Sequence, residues 1–82
     1  MTTVRVLLFD VLRRQTGHAE LRAELADGAT GADLLDRLAA EHPAVAEHRA
    51  VVRLAVNRQY APPATVLGED DEVALITPVS GG

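Results

Sequence analysis

Hydrophobic and polar positions along this chain predict a few short strands around one main helix. Residues 4–9 form an apolar run interrupted by a single arginine, the pattern of an interior strand covered on much of both faces. In residues 19–25, apolar and charged side chains alternate with a period of two, which predicts a half-exposed strand. Between these strands, Asp10 is placed to cap a short helix over residues 11–16, and Gly17 to end it in a left-handed conformation.

The main helix is predicted to begin at Thr30. Thr30 and Asp33 have the spacing of a capping box, in which each side chain accepts a hydrogen bond from the other residue's backbone N–H. Pro43 ends the helical pattern. Three leucines share one face of this helix: Leu34, Leu35 and Leu38.

The second half of the chain predicts a hairpin and a last strand. Residues 51–56 have the pattern of a strand, and Asn57-Arg58 marks a tight turn into a short return strand over residues 59–61. Pro62-Pro63 keeps that return strand short and away from the sheet centre. A polar turn then leads into a last strand over residues 72–76. Because each element has an apolar face to cover, we expect an α+β fold in which a small mixed sheet packs on the main helix.

Length and composition narrow the class of protein. With 82 residues, of which 48% are hydrophobic, the chain has room for one domain, residues 1–82, and should fold alone. Its net charge of -4 and aromatic content of 2% argue against nucleic acid as a partner, since phosphate binding needs clustered basic residues and single strands need stacking platforms. No apolar run reaches membrane-spanning length, so we expect no membrane partner and a cytoplasmic protein.

Polar side chains indicate neither a catalytic centre nor a metal site. The three histidines, His18, His42 and His48, lack a second ligand at a convincing spacing, so we interpret them as solvated loop residues. The acidic segment of residues 69–72 lacks the length and glycine placement of a calcium loop and is interpreted as a turn. Ser80, the one serine, lies outside any nucleophile-elbow pattern, and the chain has no cysteine.

The C-terminal tail, residues 77–82, is the remaining candidate. It ends in Gly81-Gly82, and because glycine has no Cβ this end can enter a channel too narrow for side chains. Six extended residues reach roughly 20 Å. A flexible Gly-Gly tail is therefore suited to delivering a carboxylate into another protein's active site. By itself the ending is weak evidence, since many chains end in small residues.

Several segments taken together indicate a protein family more specifically than the C-terminal Gly81-Gly82 does. Four segments resemble the C-terminal half of the MoaD family: residues 52–60 (Val-Arg-Leu-Ala-Val-Asn-Arg-Gln-Tyr), 65–67 (Thr-Val-Leu), 71–76 (Asp-Glu-Val-Ala-Leu-Ile) and 77–82 (Thr-Pro-Val-Ser-Gly-Gly). These proteins are the small subunits of molybdopterin synthase, within the ubiquitin-like MoaD/ThiS superfamily. Residues 4–9 and the leucines of the main helix resemble the N-terminal half, so the resemblance spans essentially the whole chain. It implies a β-grasp fold.

The resemblance also implies a chemistry located at Gly82. An E1-like activating enzyme of the MoeB class would use ATP and magnesium to adenylate the Gly82 carboxylate, and a persulfide sulfur donor would convert it to a thiocarboxylate. A MoaE-like large subunit would receive the tail and use the sulfur to build the dithiolene of molybdopterin, in a heterotetramer with a central dimer of that subunit. The chain would bind no metal and no permanent cofactor, and catalytic side chains would belong to its partners. The tail residues concerned are Pro78, Val79, Ser80 and Gly81.

By position, Phe9, Tyr60 and Ile76 match apolar surface residues of the MoaD family that meet the partner. The alternative is that they pack in the core. Two features depart from the family pattern: Thr77 stands where a first proline is common, and residues 69–72 read Glu-Asp-Asp-Glu where Asp-Gly-Asp-Glu is usual. These departures leave open which sulfur pathway the chain would serve.

Three other functions therefore remain. Related carriers supply sulfur for thiamine, cysteine or tRNA thiolation through the same end chemistry. A ubiquitin-like modifier would form isopeptide bonds between Gly82 and lysines of other proteins, whereas an inert-tailed interaction domain would function without Gly81 and Gly82. The chain has no lysine and no cysteine, so it offers no side-chain amine or thiol to attack its own activated carboxyl. This favours a carrier over a chain-forming modifier.

Overall fold

Three helices and five strands make up residues 1–78, the part of the chain that the computed structural model describes. The first half contains β1 (Thr2–Leu8), α1 (Asp10–Thr16), β2 (Glu20–Leu25) and α2 (Gly31–Glu41). The second half contains α3 (Pro43–His48), β3 (Arg53–Val56), β4 (Gln59–Ala61) and β5 (Glu72–Ile76).

The strands of residues 1–78 form one mixed sheet in the order β2-β1-β5-β3-β4. β1 pairs antiparallel with β2 and parallel with β5, while β3 pairs antiparallel with β5 and β4. The double proline Pro62-Pro63 directly follows β4, which lies at the sheet edge as predicted. The predicted α+β architecture, a small mixed sheet with one main helix, is confirmed.

Aliphatic side chains build the core between the helices and one face of the sheet. Burial alternates along β1, where the even-numbered residues are buried, because only that face meets the helices. Among residues 1–78, the largest fully buried side chains come from both layers: Leu8, Leu12, Leu34, Leu38, Leu75, Val4, Val6, Val45 and Val73.

Within the same residues, no helix is long and apolar enough to cross a membrane.

The predicted capping box opens α2. The hydroxyl of Thr30 accepts a hydrogen bond from the Asp33 N–H (3.3 Å), and the Asp33 carboxylate accepts one from the Thr30 N–H (2.9 Å). The three predicted leucines of this helix are all buried. Pro43 does not simply end the helical region, because it starts α3, where the sequence pattern predicts only a short connection. Proline is well tolerated there, since an N–H in the first turn has no intrahelical partner.

The structure corrects three local predictions. Asp10 does not cap α1, because Phe9 takes the N-cap position without a side-chain bond and Asp10, the first residue of α1, has a left-handed φ of 47°. β1 is covered on one face only, so Arg5 is exposed. β3 begins at Arg53 rather than at residue 51, because the preceding residues turn back onto the end of α3. The predicted left-handed end of α1 at Gly17 (φ 79°) and the half-exposed strand β2 are confirmed.

Candidate functional site

The sheet face opposite the helices carries an apolar patch. Strand register places Leu7 beside Ala74, Ala74 beside Ala55, and Ala55 beside Tyr60, so one row crosses β1, β5, β3 and β4. Side chains in register lie on the same face of a sheet. Phe9, just after β1, and Ile76, at the end of β5, line the same shallow depression. We call these six residues the sheet-face patch: Leu7, Phe9, Ala55, Tyr60, Ala74 and Ile76.

Both aromatic side chains of the protein belong to this patch. Phe9 is 44% exposed and Tyr60 is 74% exposed, and the chain has one phenylalanine, one tyrosine and no tryptophan. Neither packs in the core, and Ile76 is half-buried outside the core cluster. Exposed aromatic residues grouped with aliphatic ones are typical of protein-binding surfaces, where they act as anchors. The assignment of Phe9, Tyr60 and Ile76 to a partner surface stays a prediction.

The predicted tight turn between β3 and β4 is fixed to the start of β5. Asn57 and Arg58 have positive φ angles of 50° and 71°, the pair that a type I′ hairpin turn requires. The Asn57 N–H donates to the Glu72 carbonyl (2.7 Å), and the Asn57 side-chain oxygen accepts from the Glu72 N–H (3.1 Å). The Asn57 amide nitrogen also donates to Asp71 Oδ1 (2.9 Å). Three bonds from one residue therefore hold the turn beside the patch.

The acidic segment before β5 is a structural turn, as predicted. Asp71 Oδ2 accepts from the Gly68 N–H (2.7 Å), Glu69 accepts from the Thr3 N–H (2.9 Å), and the Asp70 N–H donates to the Thr3 carbonyl (2.8 Å). Within residues 1–78, no group of three or more histidine or acidic side chains could hold a metal ion. Asp70 has a φ of 65°, at the position where the MoaD pattern places glycine.

The charged residues beside the patch form a loose cluster around Glu72. Arg5 Nη2 lies 3.1 Å from Glu72 Oε1, whereas Arg58 Nε lies 3.9 Å from Glu72 Oε2. Arg5 also approaches Glu20 at 3.8 Å. Arg5, Arg58 and Glu72 are candidate site residues that the sequence pattern does not indicate. Their positions around the patch depend on strand register, which the sequence pattern does not show. For Arg58 the sequence does contain one signal, since arginine is unusual directly after asparagine in a tight turn.

The histidines lie away from the sheet-face patch. The rings of His18 and His42 are 6.2 Å apart, and His48 Nε2 lies 3.3 Å from the side-chain oxygen of Gln15. His18 is an exposed loop residue, as predicted. The loop assignment of His48 is wrong, because this residue ends α3.

The chain leaves the sheet next to the patch. Ile76, the last residue of β5, pairs with Arg53, and Thr77 and the exposed Pro78 follow directly. Four predicted site residues lie outside the described residues: Val79, Ser80, Gly81 and Gly82.

Comparisons with known proteins identify the family. The profile of the ThiS family matches residues 6–82. This chain belongs to the ThiS family. Among its relatives, the molybdopterin synthase sulfur carrier subunit of Arabidopsis thaliana is 37% identical over 96% of this chain and 82% of the relative. The subunit of the same name from Mycobacterium tuberculosis is 39% identical, with both chains covered completely. The family prediction is confirmed.

A solved structure extends the likeness of this ThiS-family chain to three dimensions. The crystal structure of SAMP1 from Haloferax volcanii, a small archaeal modifier protein, is 29% identical to this chain. The likeness covers 98% of this chain and 99% of SAMP1, with a TM-score of 0.83. The predicted ubiquitin-like β-grasp fold is confirmed.

Proposed function

We propose that this ThiS-family protein is the sulfur carrier subunit of a molybdopterin synthase and holds sulfur as a thiocarboxylate at Gly82. The observation that carries the proposal is a family match extending through Gly82, together with full-length relatives named for this role. The proposal places the carrier in the cytoplasm.

The chemistry is divided between the carrier and its partners. An E1-like enzyme of the MoeB class adenylates the Gly82 carboxylate with ATP and magnesium and releases pyrophosphate, and the acyl carbon is thereby made electrophilic. The terminal sulfur of a persulfide donor then attacks this carbon and displaces AMP. A thiol cleaves the resulting acyl disulfide, which leaves the thiocarboxylate on Gly82 and joins the thiol and the donor in a disulfide. The carrier presents its tail to a MoaE-like large subunit, whose side chains perform the transfer that builds the dithiolene. The carrier contributes position and cargo, and it needs no catalytic side chain or bound cofactor of its own.

The position of the sheet-face patch supports this division. Ile76 belongs to the patch and Thr77 begins the tail, so a partner bound to the patch also receives the start of the tail. Residues 77–82 can then reach roughly 20 Å into that partner. An apolar centre containing aromatic residues, with charged residues at its edge, is the usual composition of a protein interface. We propose that the large subunit binds this patch.

Reconstitution tests the proposed pathway. The protein is loaded with sulfur by its activating enzyme, then mixed with the large subunit and cyclic pyranopterin monophosphate, and molybdopterin is measured. We expect product from the wild type and none from a variant lacking Gly81 and Gly82. Sulfur transfer to a thiamine, cysteine or tRNA thiolation system, without molybdopterin formation, would instead assign the carrier to another pathway.

Modification of other proteins is a second candidate function. The observation that favours it is the 29% identity to SAMP1, which is named as a small archaeal modifier. A modifier would join Gly82 to lysine side chains of other proteins. Because this chain has no lysine, each isopeptide bond would have to use a lysine of a target. Mass spectrometry of tryptic peptides after incubation with activating enzyme, ATP and target proteins would detect these adducts.

A further inference from the structure

Arg58 occupies a backbone position that favours glycine. It is the second central residue of the β3–β4 turn, with a φ of 71°. Type I′ turns prefer asparagine followed by glycine, because the left-handed region crowds a Cβ. The other non-glycine residues with positive φ in residues 1–78 are Asp10, Asn57 and Asp70, which are types that tolerate this region better. Arg58 is therefore the exception among these four residues, and an interaction of its side chain is needed to explain an arginine at this position.

Contacts among residues 1–78 do not compensate this unfavourable backbone conformation. The Arg58 side chain is 90% exposed, and its Nε lies 3.9 Å from Glu72 Oε2, near the limit of an ion pair. Glu72 has a shorter contact with Arg5, at 3.1 Å. Exposed and distant ion pairs contribute little to stability, because water and salt screen them. Backbone strain that no contact within residues 1–78 offsets is characteristic of functional positions.

The location of Arg58 indicates what that function is. Arg58 lines the same depression as Phe9, Tyr60 and Ile76, so its guanidinium lies at the edge of the sheet-face patch. The three hydrogen bonds of Asn57 fix the turn that carries it. The backbone that carries this positive charge is therefore held in a defined place, beside an apolar surface that is suited to a protein partner.

We propose that Arg58 is a recognition residue that pairs with a carboxylate on the large subunit, at the edge of the surface that covers the sheet-face patch. This inference rests on the proposed function. A guanidinium presents a planar set of donors that matches a carboxylate with two parallel hydrogen bonds, which gives orientation as well as attraction. Charges at the edge of an interface guide association and fix register, while the aromatic residues supply contact area.

The substitution Arg58→Gly separates this role from a structural one, because it removes the side chain and relieves the backbone. We expect the urea midpoint of unfolding to rise while the Kd for the large subunit increases roughly five- to thirty-fold. The Kd of the variant should also depend less on salt concentration. Arg58→Lys keeps the charge but not the planar fork, so its Kd should lie between those of the wild type and Arg58→Gly.

Two control variants match the two changes made by Arg58→Gly. Asp70→Gly likewise replaces a left-handed residue by glycine, but away from the patch, so it should leave the Kd unchanged. Arg37→Gln removes the same charge from the exposed face of α2, on the covered side of the sheet, and should also bind normally.

The outcomes distinguish this inference from the proposed function. Normal binding by Arg58→Gly, or equal weakening by Asp70→Gly or Arg37→Gln, would overturn the role of Arg58 and leave the partner assignment intact. A lower unfolding midpoint for Arg58→Gly would overturn the argument from the strained turn. If the wild-type protein failed to bind the large subunit, the proposed partner and this inference would both be wrong.

Discussion

Gly31 is a single residue at which the packing leaves no room for a side chain. It is buried at the start of α2, where an added Cβ would collide with Leu54 Cδ1 and lie 3.3 Å from the Pro63 carbonyl oxygen. Leu54 is itself buried, so it has little freedom to move. We expect Gly31→Ala to lower the free energy of unfolding by about 1–3 kcal/mol through overpacking, measured by urea denaturation.

The control for that variant is Gly68→Ala. A Cβ at Gly68 would make an ordinary contact with the Asp71 side chain at 3.6 Å, so the free energy of unfolding should change by about 0.5 kcal/mol or less. Equal losses from the two substitutions would show that steric crowding is not the cause.

Asp27 gives the protein a local dependence on acid pH. The hydrogen bond from the Thr2 hydroxyl (2.9 Å), followed by the hydrogen bond and charge of the N-terminal ammonium, lowers the pKa of the Asp27 carboxyl below its ordinary 3.8. A carboxyl with a lower pKa in the folded state adds stability above its unfolded pKa. That stability is lost as pH falls through the folded pKa.

Comparison with Asp27→Asn tests this pH dependence. The free energy of unfolding of the wild type minus that of the variant should be constant near neutral pH and shrink as pH falls below about 3.8. Urea denaturation across this pH range measures it. A difference that stays constant down to the lowest pH would rule out the ion pair and hydrogen bond as its source.

At the scale of elements, local bonds were easier to predict than packing. The capping box of α2 was readable because Thr30 and Asp33 bond each other across three positions of sequence. α3 has only six residues, and Val45 supplies its buried side chain, so its stability comes from contacts that the sequence pattern does not show. The cap predicted at Asp10 is absent for a similar reason. Phe9 takes the N-cap position, and the left-handed backbone of Asp10 is a feature that the sequence pattern does not show.

Thr30 should therefore contribute measurably to α2. Thr30→Ala removes the acceptor of the Asp33 N–H, and we expect the free energy of unfolding to fall by about 1 kcal/mol. Thr30→Ser keeps the hydroxyl. Its free energy of unfolding should differ from that of the wild type by roughly a few tenths of a kcal/mol, which is the spread among good N-cap residues. Chemical denaturation of the three proteins checks this, and an equally large loss from the serine variant would contradict the capping role.

At the scale of the whole molecule, the sequence pattern predicts the fold. It does not predict which residues share the sheet face opposite the helices. The alternation of residues in β5 shows that two faces exist. Only the pairing of β1 with β5, of β5 with β3 and of β3 with β4 brings distant residues into one patch. Phe9 illustrates the limit, since the sequence left core and surface equally open. The charged edge around Arg58 was missed for the same reason, because strand register is set by tertiary structure.

Tyr60 should separate partner binding from stability. Since its side chain is 74% exposed, Tyr60→Ala should change the free energy of unfolding by about 0.5 kcal/mol or less. We expect the same variant to weaken binding to the large subunit by about 2 kcal/mol, because aromatic anchors dominate interfaces. Val66→Ala, at an exposed apolar residue outside the patch, is the control, and calorimetric titration compares the three proteins. Equal weakening by both substitutions would contradict the patch as the docking surface.

The chemistry at Gly82 is the central claim, and intact-mass spectrometry tests it most directly. The protein is incubated with the E1-like enzyme, ATP, magnesium and a persulfide donor, then treated with a thiol-alkylating reagent. Because the chain has no cysteine, an alkyl adduct reports a new thiol-like group, and we predict one adduct that disappears when Gly82 is deleted. No adduct, under conditions in which the same enzymes load a known carrier, would contradict the claim that this protein carries sulfur.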